Sequence, residues 1–176
     1  MNKLRKTLNY LWLHGWKYKA VERQHKRLKE KLKGREKLNV VFMALDVALW
    51  RYQSIYELMV TDARFNPTIV LTPCIVRDAE SDLRGLRQFF DDRSIPYVDF
   101  DSEKGPVDIR EELHPDIIFY TQPYEYLLLY EYDCRHFYDL LLCYMPYGFG
   151  HQRENYLIIC ISITWLGDST ILLTYI

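Results

Sequence analysis

The chain has 176 residues, 49% of them hydrophobic and 15% aromatic, which suits one domain with an appendage and excludes a chain that is disordered throughout. The net charge is −1, but residues 1–37 hold 13 Lys and Arg against three Glu, so this segment carries +10 and the remainder −11. A basic segment on an acidic domain indicates an anionic surface as a partner.

Cysteine spacing and hydropathy further limit the class of protein that this chain can be. The four cysteines form no CxxC pair and no Cys/His cluster with metal-ligand spacing; they are Cys74, Cys134, Cys143 and Cys160. We therefore expect reduced, buried thiols in a cytoplasmic protein that holds no metal and no cofactor. No apolar run reaches the roughly 18 residues of a membrane-spanning helix, and the N-terminus does not have the pattern of a signal peptide.

Residues 2–33 are predicted to form a basic amphipathic helix that ends near Gly34. Its apolar face has residues spaced three or four apart, namely Leu4, Leu8, Leu11, Trp12 and Trp16. Such a helix can lie in a membrane interface, which would make the protein peripheral on the inner face of the cell membrane. Alternatively, it packs on its own domain or forms a solvated, lysine-rich spacer. Nucleic acid is not expected as a partner, because no nucleic-acid motif accompanies the basic patch.

Short apolar runs alternate with helical patterns in the rest of the chain. The predicted strands are 38–45, 68–72, 96–100, 117–120 and 140–144, and Asn66-Pro67 is expected to break the chain before the second. The predicted helices are 50–61, 78–92, with Asp78 or Ser81 as its cap, and 127–138. This alternation predicts an α/β fold with a Rossmann-like parallel sheet of about five strands and flanking helices.

Ligands of such sheets bind at the carboxyl ends of the strands. Asp46 follows the first predicted strand and would contact a polar ligand or cap the next helix. Arg51, at the start of that helix, would hold a phosphate or remain solvated. Gln122 and Tyr124 follow the fourth strand, in a loop that is either a binding segment or a turn shaped by Pro123.

The loop after the fifth predicted strand supplies the remaining candidates. Tyr147 and Gly148 belong to a glycine-containing stretch that allows close backbone approach to a ligand, or that is only a tight turn. His151 lies just beyond it and is a candidate general base toward an acceptor hydroxyl, or an ordinary loop histidine. No GxGxxG or GxxxxGK[ST] motif occurs, so the usual phosphate-binding loops are missing from the sequence.

Four stretches together carry a family resemblance: VVFMALDVALWRYQSIYELM, FNPTIVLTP, HPDIIFYTQPY and LLCYMPYGFG. With them, residues 39–150 resemble the N-terminal part of bacterial CDP-glycerol glycerophosphotransferase-like proteins of teichoic acid and capsular polysaccharide biosynthesis. The resemblance implies a GT-B transferase of two Rossmann-like halves. The N-terminal half meets a polymer or lipid-linked acceptor, and the second domain binds CDP-glycerol or, in a related reaction, a nucleotide sugar. It also implies attachment to the inner membrane face through residues 1–37.

Two features depart from the family. Better-known members have a Trp-His-Gly motif whose histidine is thought to be the base, whereas His151 is out of register with it. The tail, 151–176, lacks the earlier rhythm of cap, helix and strand. Shifting its frame by one base near codon 157, with suitable synonymous codons, gives a sequence that resembles the family's continuation, and this predicts a truncated, frameshifted product.

Other interpretations remain open at this point. The tail can instead be a genuine strand pair with Gly167-Asp168 as its turn. In the frameshift interpretation, residues 1–37 are a basic arm, residues 38–150 are the acceptor-side half of the enzyme, and the chain is inactive alone. The alternative function is a stand-alone, flavodoxin-like binding or regulatory module.

Overall fold

The computed structural model describes residues 23–24, 26–101, 103–145, 161–165 and 171–175. Within them one sheet has the strands β1 (Leu38–Ala44), β2 (Phe65–Leu71), β3 (Ile117–Tyr120), β4 (Leu141–Tyr144), β5 (Ile161–Trp165) and β6 (Ile171–Tyr175). The strand order is β2-β1-β3-β4-β5-β6, with β1 to β4 parallel and β5 and β6 antiparallel. The predicted α/β, Rossmann-like parallel sheet with flanking helices is confirmed, with four parallel strands instead of five.

The predicted strand that does not form is 96–100, the third of the five in chain order. Only Val98 pairs with the sheet there: its N–H donates to Ile69 O (2.8 Å) and its carbonyl accepts from Leu71 N (2.9 Å). Pro96 has no N–H to extend this ladder. Val98 pairs with the side of β2 that faces away from β1. The chain after β1 therefore first adds β2 and Val98 on one side of β1, and then crosses over to add β3 and β4 on the other side. The gap between β1 and β3 is therefore the topological switch point of the sheet.

Pro67 lies within β2 opposite Val40, so the predicted break at Asn66-Pro67 is wrong. Alternate residues of β2 direct their N–H groups to opposite neighbours, and Leu71 donates outward, away from β1. Pro67 is four residues earlier and has the same outward orientation, so its missing N–H costs no bond to β1.

Two α-helices cover one face of the sheet, α1 (Gln53–Thr61) and α2 (Ala79–Asp91). The predicted cap of α2 is confirmed, since the Asp78 side chain accepts from Ser81 N at 3.3 Å. Helix α1 begins three residues later than predicted, because Trp50 and Tyr52 are buried in the core with Phe42.

The helix predicted over 127–138 is wrong. This stretch contains 3₁₀ turns, Glu125–Leu127, Tyr130–Tyr132 and Cys134–Phe137, and a π-helical turn, Ile109–Leu113, packs nearby. Asp133 is buried and extended, and its carboxylate accepts from Arg135 N (2.9 Å), which ends any helix at this point. These turns cover the other face of the sheet, where Val41, Met43 and Leu45 point.

The basic arm is described only from residue 23 onward, and it is helical over 26–32. Leu32 packs against the core, and the Gln24 amide donates to Tyr138 O. Arg35 forms an ion pair with the buried Asp116. Among the described residues, no helix is long and apolar enough to cross a membrane.

In the tail, the backbones of β5 and β6 pair in antiparallel register from Ile161–Tyr175 to Trp165–Ile171. This is the arrangement expected from the strand-pair interpretation. The predicted turn at Gly167-Asp168 lies outside the described residues, and the frameshift stays a prediction for the nucleotide sequence.

Candidate functional site

The carboxyl end of β1 is held by threonines from both neighbouring strands. Thr121, after β3, donates its hydroxyl to Met43 O (3.0 Å) and accepts from Leu45 N (3.3 Å). Thr72, after β2, donates its hydroxyl to Ala44 O (3.0 Å). These buried bonds fix where the loops leave the sheet, so Asp46 and Gln122 start from neighbouring points at the switch point.

Asp46 is engaged within the protein. One carboxylate oxygen caps the 3₁₀ turn Val47–Leu49 by accepting from Ala48 N (2.9 Å). The other lies 2.8 Å from Arg77 Nη2, and Arg77 Nε lies 3.3 Å from Asp82 Oδ2. Asp46 thus caps a 3₁₀ turn and not the predicted helix, and a ligand that used Asp46 would compete with Arg77.

Asp46, Arg77 and Asp82 form a charged cluster in which the two carboxylates are not equally well paired. Hydrogen bonds to Cys74 and Asp46 raise the pKa of Arg77, so its guanidinium stays charged. Burial raises the pKa of Asp82, against the attraction of Arg77. Although Asp82 Oδ2 lies within ion-pair distance of Arg77, within the described chain it accepts no hydrogen bond of good geometry. Asp82 is therefore the poorly satisfied member of the cluster.

Gln122 has a buried amide oxygen that accepts no hydrogen bond from the residues the structure describes. The residue as a whole is only partly buried, so part of the Gln122 side chain reaches solvent although its amide oxygen does not. A buried acceptor without a donor costs roughly 1–3 kcal/mol, which a ligand hydroxyl can recover.

Two tyrosines follow Gln122 in the same loop. Tyr124 and Tyr126 have nearly parallel rings, 16° apart with centroids separated by 5.7 Å. The ring of Tyr144, at the end of β4, meets Tyr124 edge-on at 6.5 Å. This aromatic group covers the carboxyl ends of β3 and β4.

Arg51 is partly buried just before α1. The next residue, Tyr52, donates its hydroxyl to Tyr120 O (2.7 Å) and accepts from Met145 N (3.0 Å). Tyr52 therefore joins the ends of β3 and β4 and places Arg51 beside the same edge of the sheet.

The structure thus brings Asp46, Arg51, Gln122 and Tyr124 to one edge of the sheet. Tyr147, Gly148 and His151 lie outside the described residues, and their roles stay predictions. Arg77 and Tyr126 also lie at this edge, in the segments 72–77 and 121–126 that follow predicted strands, but the sequence does not single them out as site residues. It has no signal for their side-chain partners.

Surface hollows of comparable size lie elsewhere, one of about 610 Å³ beside Arg87, Asp99 and Lys104 and another at the end of α1. The hollow at the carboxyl end of α1 has a volume of about 570 Å³, and its lining includes Glu57, Val60, Arg93 and Ile95. The size of these hollows does not outweigh the polar and aromatic groups at the switch point. Within the described ranges, no three His, Cys, Asp or Glu side chains are grouped to hold a metal ion.

No protein-family model, no curated protein and no solved structure matches the chain.

Proposed function

We propose that this domain is the acceptor-side half of a two-domain transferase of the CDP-glycerol glycerophosphotransferase type, acting in teichoic acid or capsular polysaccharide biosynthesis. It holds a polymer or lipid-linked acceptor, and CDP-glycerol or a nucleotide sugar binds only when a second domain completes the site. The observation that carries the proposal is the buried, unpartnered amide oxygen of Gln122 at the switch point, which a rotation of the partly exposed side chain would present to an acceptor hydroxyl.

The placement of the resembling sequence supports this proposal. Each of its four stretches contains one parallel strand and continues beyond that strand's carboxyl end: 40–59, 65–73, 114–124 and 141–150. The resemblance is therefore concentrated on the strands and loops that form the candidate site. A resemblance due to core packing alone would not need to include the loops.

The chemistry divides between the two halves. The acceptor oxygen forms a bond to the β-phosphorus of CDP-glycerol, the bond from that phosphorus to the oxygen of the leaving CMP breaks, and the acceptor proton passes to a base. This domain positions the hydroxyl, and His151 stays the predicted base. Groups that stabilise the transferring phosphoryl charge belong to the donor side, so the chain alone is expected to be inactive.

The basic arm supports a peripheral position on the inner membrane face. In its described part, Lys26, Arg27, Lys29, Lys33 and Lys37 are exposed. Basic side chains near an anionic surface contribute about 1 kcal/mol each, so a cluster is sufficient for reversible attachment.

Acceptor binding by the purified chain tests the proposal. We expect short poly(glycerol phosphate) oligomers to bind, measured by calorimetry, and Gln122→Ala to weaken binding about tenfold through loss of one hydrogen bond. Gln88→Ala is the matched control, because Gln88 is exposed on α2 and bonds only Asp92 among the described residues.

Three outcomes contradict the proposal. Turnover of CDP-glycerol by the chain alone would exclude a requirement for a second half. Equal oligomer binding by wild type and Gln122→Ala would remove the site. Tight binding of a flavin nucleotide, without oligomer binding, would favour the stand-alone module.

A further inference from the structure

The exposed tyrosines beside Gln122 have a geometry that suits a flat ligand. Tyr124 is 37% exposed and Tyr126 is 61% exposed. Parallel rings in contact lie about 3.5–4 Å apart, so centroids separated by 5.7 Å mean that the two rings are offset sideways. Part of each ring face therefore remains outside the overlap.

The loop that carries these rings is fixed by several contacts. Tyr144 packs its edge against Tyr124, and Tyr124 O accepts from Leu127 N at 3.0 Å. The carbonyl of Pro123 accepts from the buried thiol of Cys134 at 3.6 Å. Because the loop is held in place, a ligand that stacks on the rings pays little to order them.

The chemistry of the rings selects among acceptors. An aromatic face carries partial negative charge, which attracts the C–H groups on the face of a pyranose ring and repels a phosphate. A glycerol phosphate unit has no comparable flat face. Sugar hydroxyls also need polar partners, which the tyrosine hydroxyls and, after rotation of its side chain, the Gln122 amide in the same loop would supply.

We propose that Tyr124 and Tyr126 form a sugar-binding platform, on which a pyranose ring of the acceptor stacks while one of its hydroxyls donates to Gln122. This inference rests on the proposed function for the nature of the acceptor, and it assigns the platform to a sugar unit rather than to a polyol phosphate. The other candidate occupant is a protein surface, since Ile75 and Val76 are exposed in a loop that bonds this one through Ile75 N and Leu127 O (3.1 Å).

The test is saturation-transfer NMR on the full chain with methyl glycosides of glucose and N-acetylglucosamine, and with sn-glycerol 3-phosphate for comparison. We expect Tyr126→Ala to weaken glycoside binding about three- to tenfold, the range of a lost aromatic contact, and Tyr126→Trp to retain it. Tyr138→Ala is the matched control, because Tyr138 is an exposed tyrosine near the amino end of β4. Binding of sn-glycerol 3-phosphate should be the same in the Tyr126 variants and the wild type.

Two results overturn the platform, and two combinations separate it from the proposed function. Glycosides that give no saturable effect at tens of millimolar exclude a sugar site. Equal glycoside binding by wild type and Tyr126→Ala places the sugar elsewhere, and an unchanged thermal melt shows that the variant is folded. If glycosides fail while poly(glycerol phosphate) still binds through Gln122, the platform is wrong and the proposed function stands. If glycosides bind through Tyr126 while poly(glycerol phosphate) does not bind, the platform stands and the proposed function is wrong.

Discussion

Tyr52 is the side chain whose hydroxyl most directly supports the site, because it joins Tyr120 O to Met145 N. We expect Tyr52→Phe to lower the free energy of unfolding by about 1–3 kcal/mol, since the ring stays packed while both partners lose their bond. Urea denaturation measures this. Tyr97→Phe is the control: its hydroxyl bonds Asp91 at the exposed surface, and its loss should cost less than about 0.5 kcal/mol. Equal losses in the two variants would contradict the bridging role.

Asp82 is expected to make stability depend on pH. Burial raises its pKa, Arg77 opposes this, and the carboxylates of Asp46 and Asp78 add to the rise. A carboxyl with a higher pKa in the folded protein binds its proton more tightly there, so its ionised form costs stability at neutral pH. We expect Asp82→Asn to raise the free energy of unfolding at about pH 7, and the gain to shrink as the pH falls toward about 4.

Asp139 provides a control of opposite sign for that measurement. A hydrogen bond from Arg110 lowers its pKa, so its contribution is present at neutral pH and is lost as the pH falls through the folded-state value. Asp139→Asn should therefore destabilise at neutral pH and have less effect in acid. If chemical denaturation at several pH values gave Asp82→Asn the same sign as Asp139→Asn, burial would not dominate at Asp82.

At the residue scale, the sequence predicted where the site residues lie better than it predicted which side chains they contact. Asp46 and Gln122 are recognisable because each follows an apolar strand, and the switch point then brings them together. Arg77 also follows a strand, but its pairing with Asp46 depends on the path of the loop between β2 and α2. Loop paths depend on tertiary contacts, which hydrophobic patterns do not encode.

At the element scale, helix α2 holds a correctable weakness at Gly85. A methyl group built there would meet only Val47 Cγ2 at 3.8 Å, an ordinary contact. We expect Gly85→Ala to stabilise the protein by about 0.5–1 kcal/mol, because glycine loses more backbone entropy in a helix. Gly105→Ala makes the same substitution at a residue with φ +82°, where alanine is strained. This variant should therefore be less stable than the wild type. Thermal denaturation of both variants tests this, and a stabilising Gly105→Ala would contradict it.

The elements that the sequence predicted well are those with a simple pattern. β1, β3 and β4 are short buried runs, and α2 has a cap and one apolar face. The helix predicted over 127–138 is wrong because Tyr132 and Phe137 are both buried, from two separate 3₁₀ turns. On one helix these two residues, five apart, would point about 140° away from each other and would not share an apolar stripe. The core of this face requires tyrosine and cysteine side chains from an irregular backbone, and tertiary packing overrides helix propensity there.

At the scale of the whole molecule, the described arm lies at the amino ends of the parallel strands and the candidate site at their carboxyl ends. The arm contacts residues just before strands: Arg35 pairs with Asp116, before β3, and Gln24 donates to Tyr138 O, before β4. The site lies after the strands. β1 has seven residues, so these two ends are about 20–25 Å apart. An arm bound to a membrane would therefore direct the site away from the lipid, toward an acceptor chain that extends from the surface.

Fluorescence quenching by brominated lipids tests this orientation. The three described cysteines are buried, so with Cys160 replaced by Ser a label can be placed at Lys37→Cys or Tyr126→Cys. On anionic vesicles we expect quenching of the label at position 37 and little at position 126. High salt should remove the quenching, because the attachment is electrostatic and screened. Equal quenching at both positions would mean that the strand-end site faces the lipid, and the acceptor would then have to be reached at the membrane surface itself.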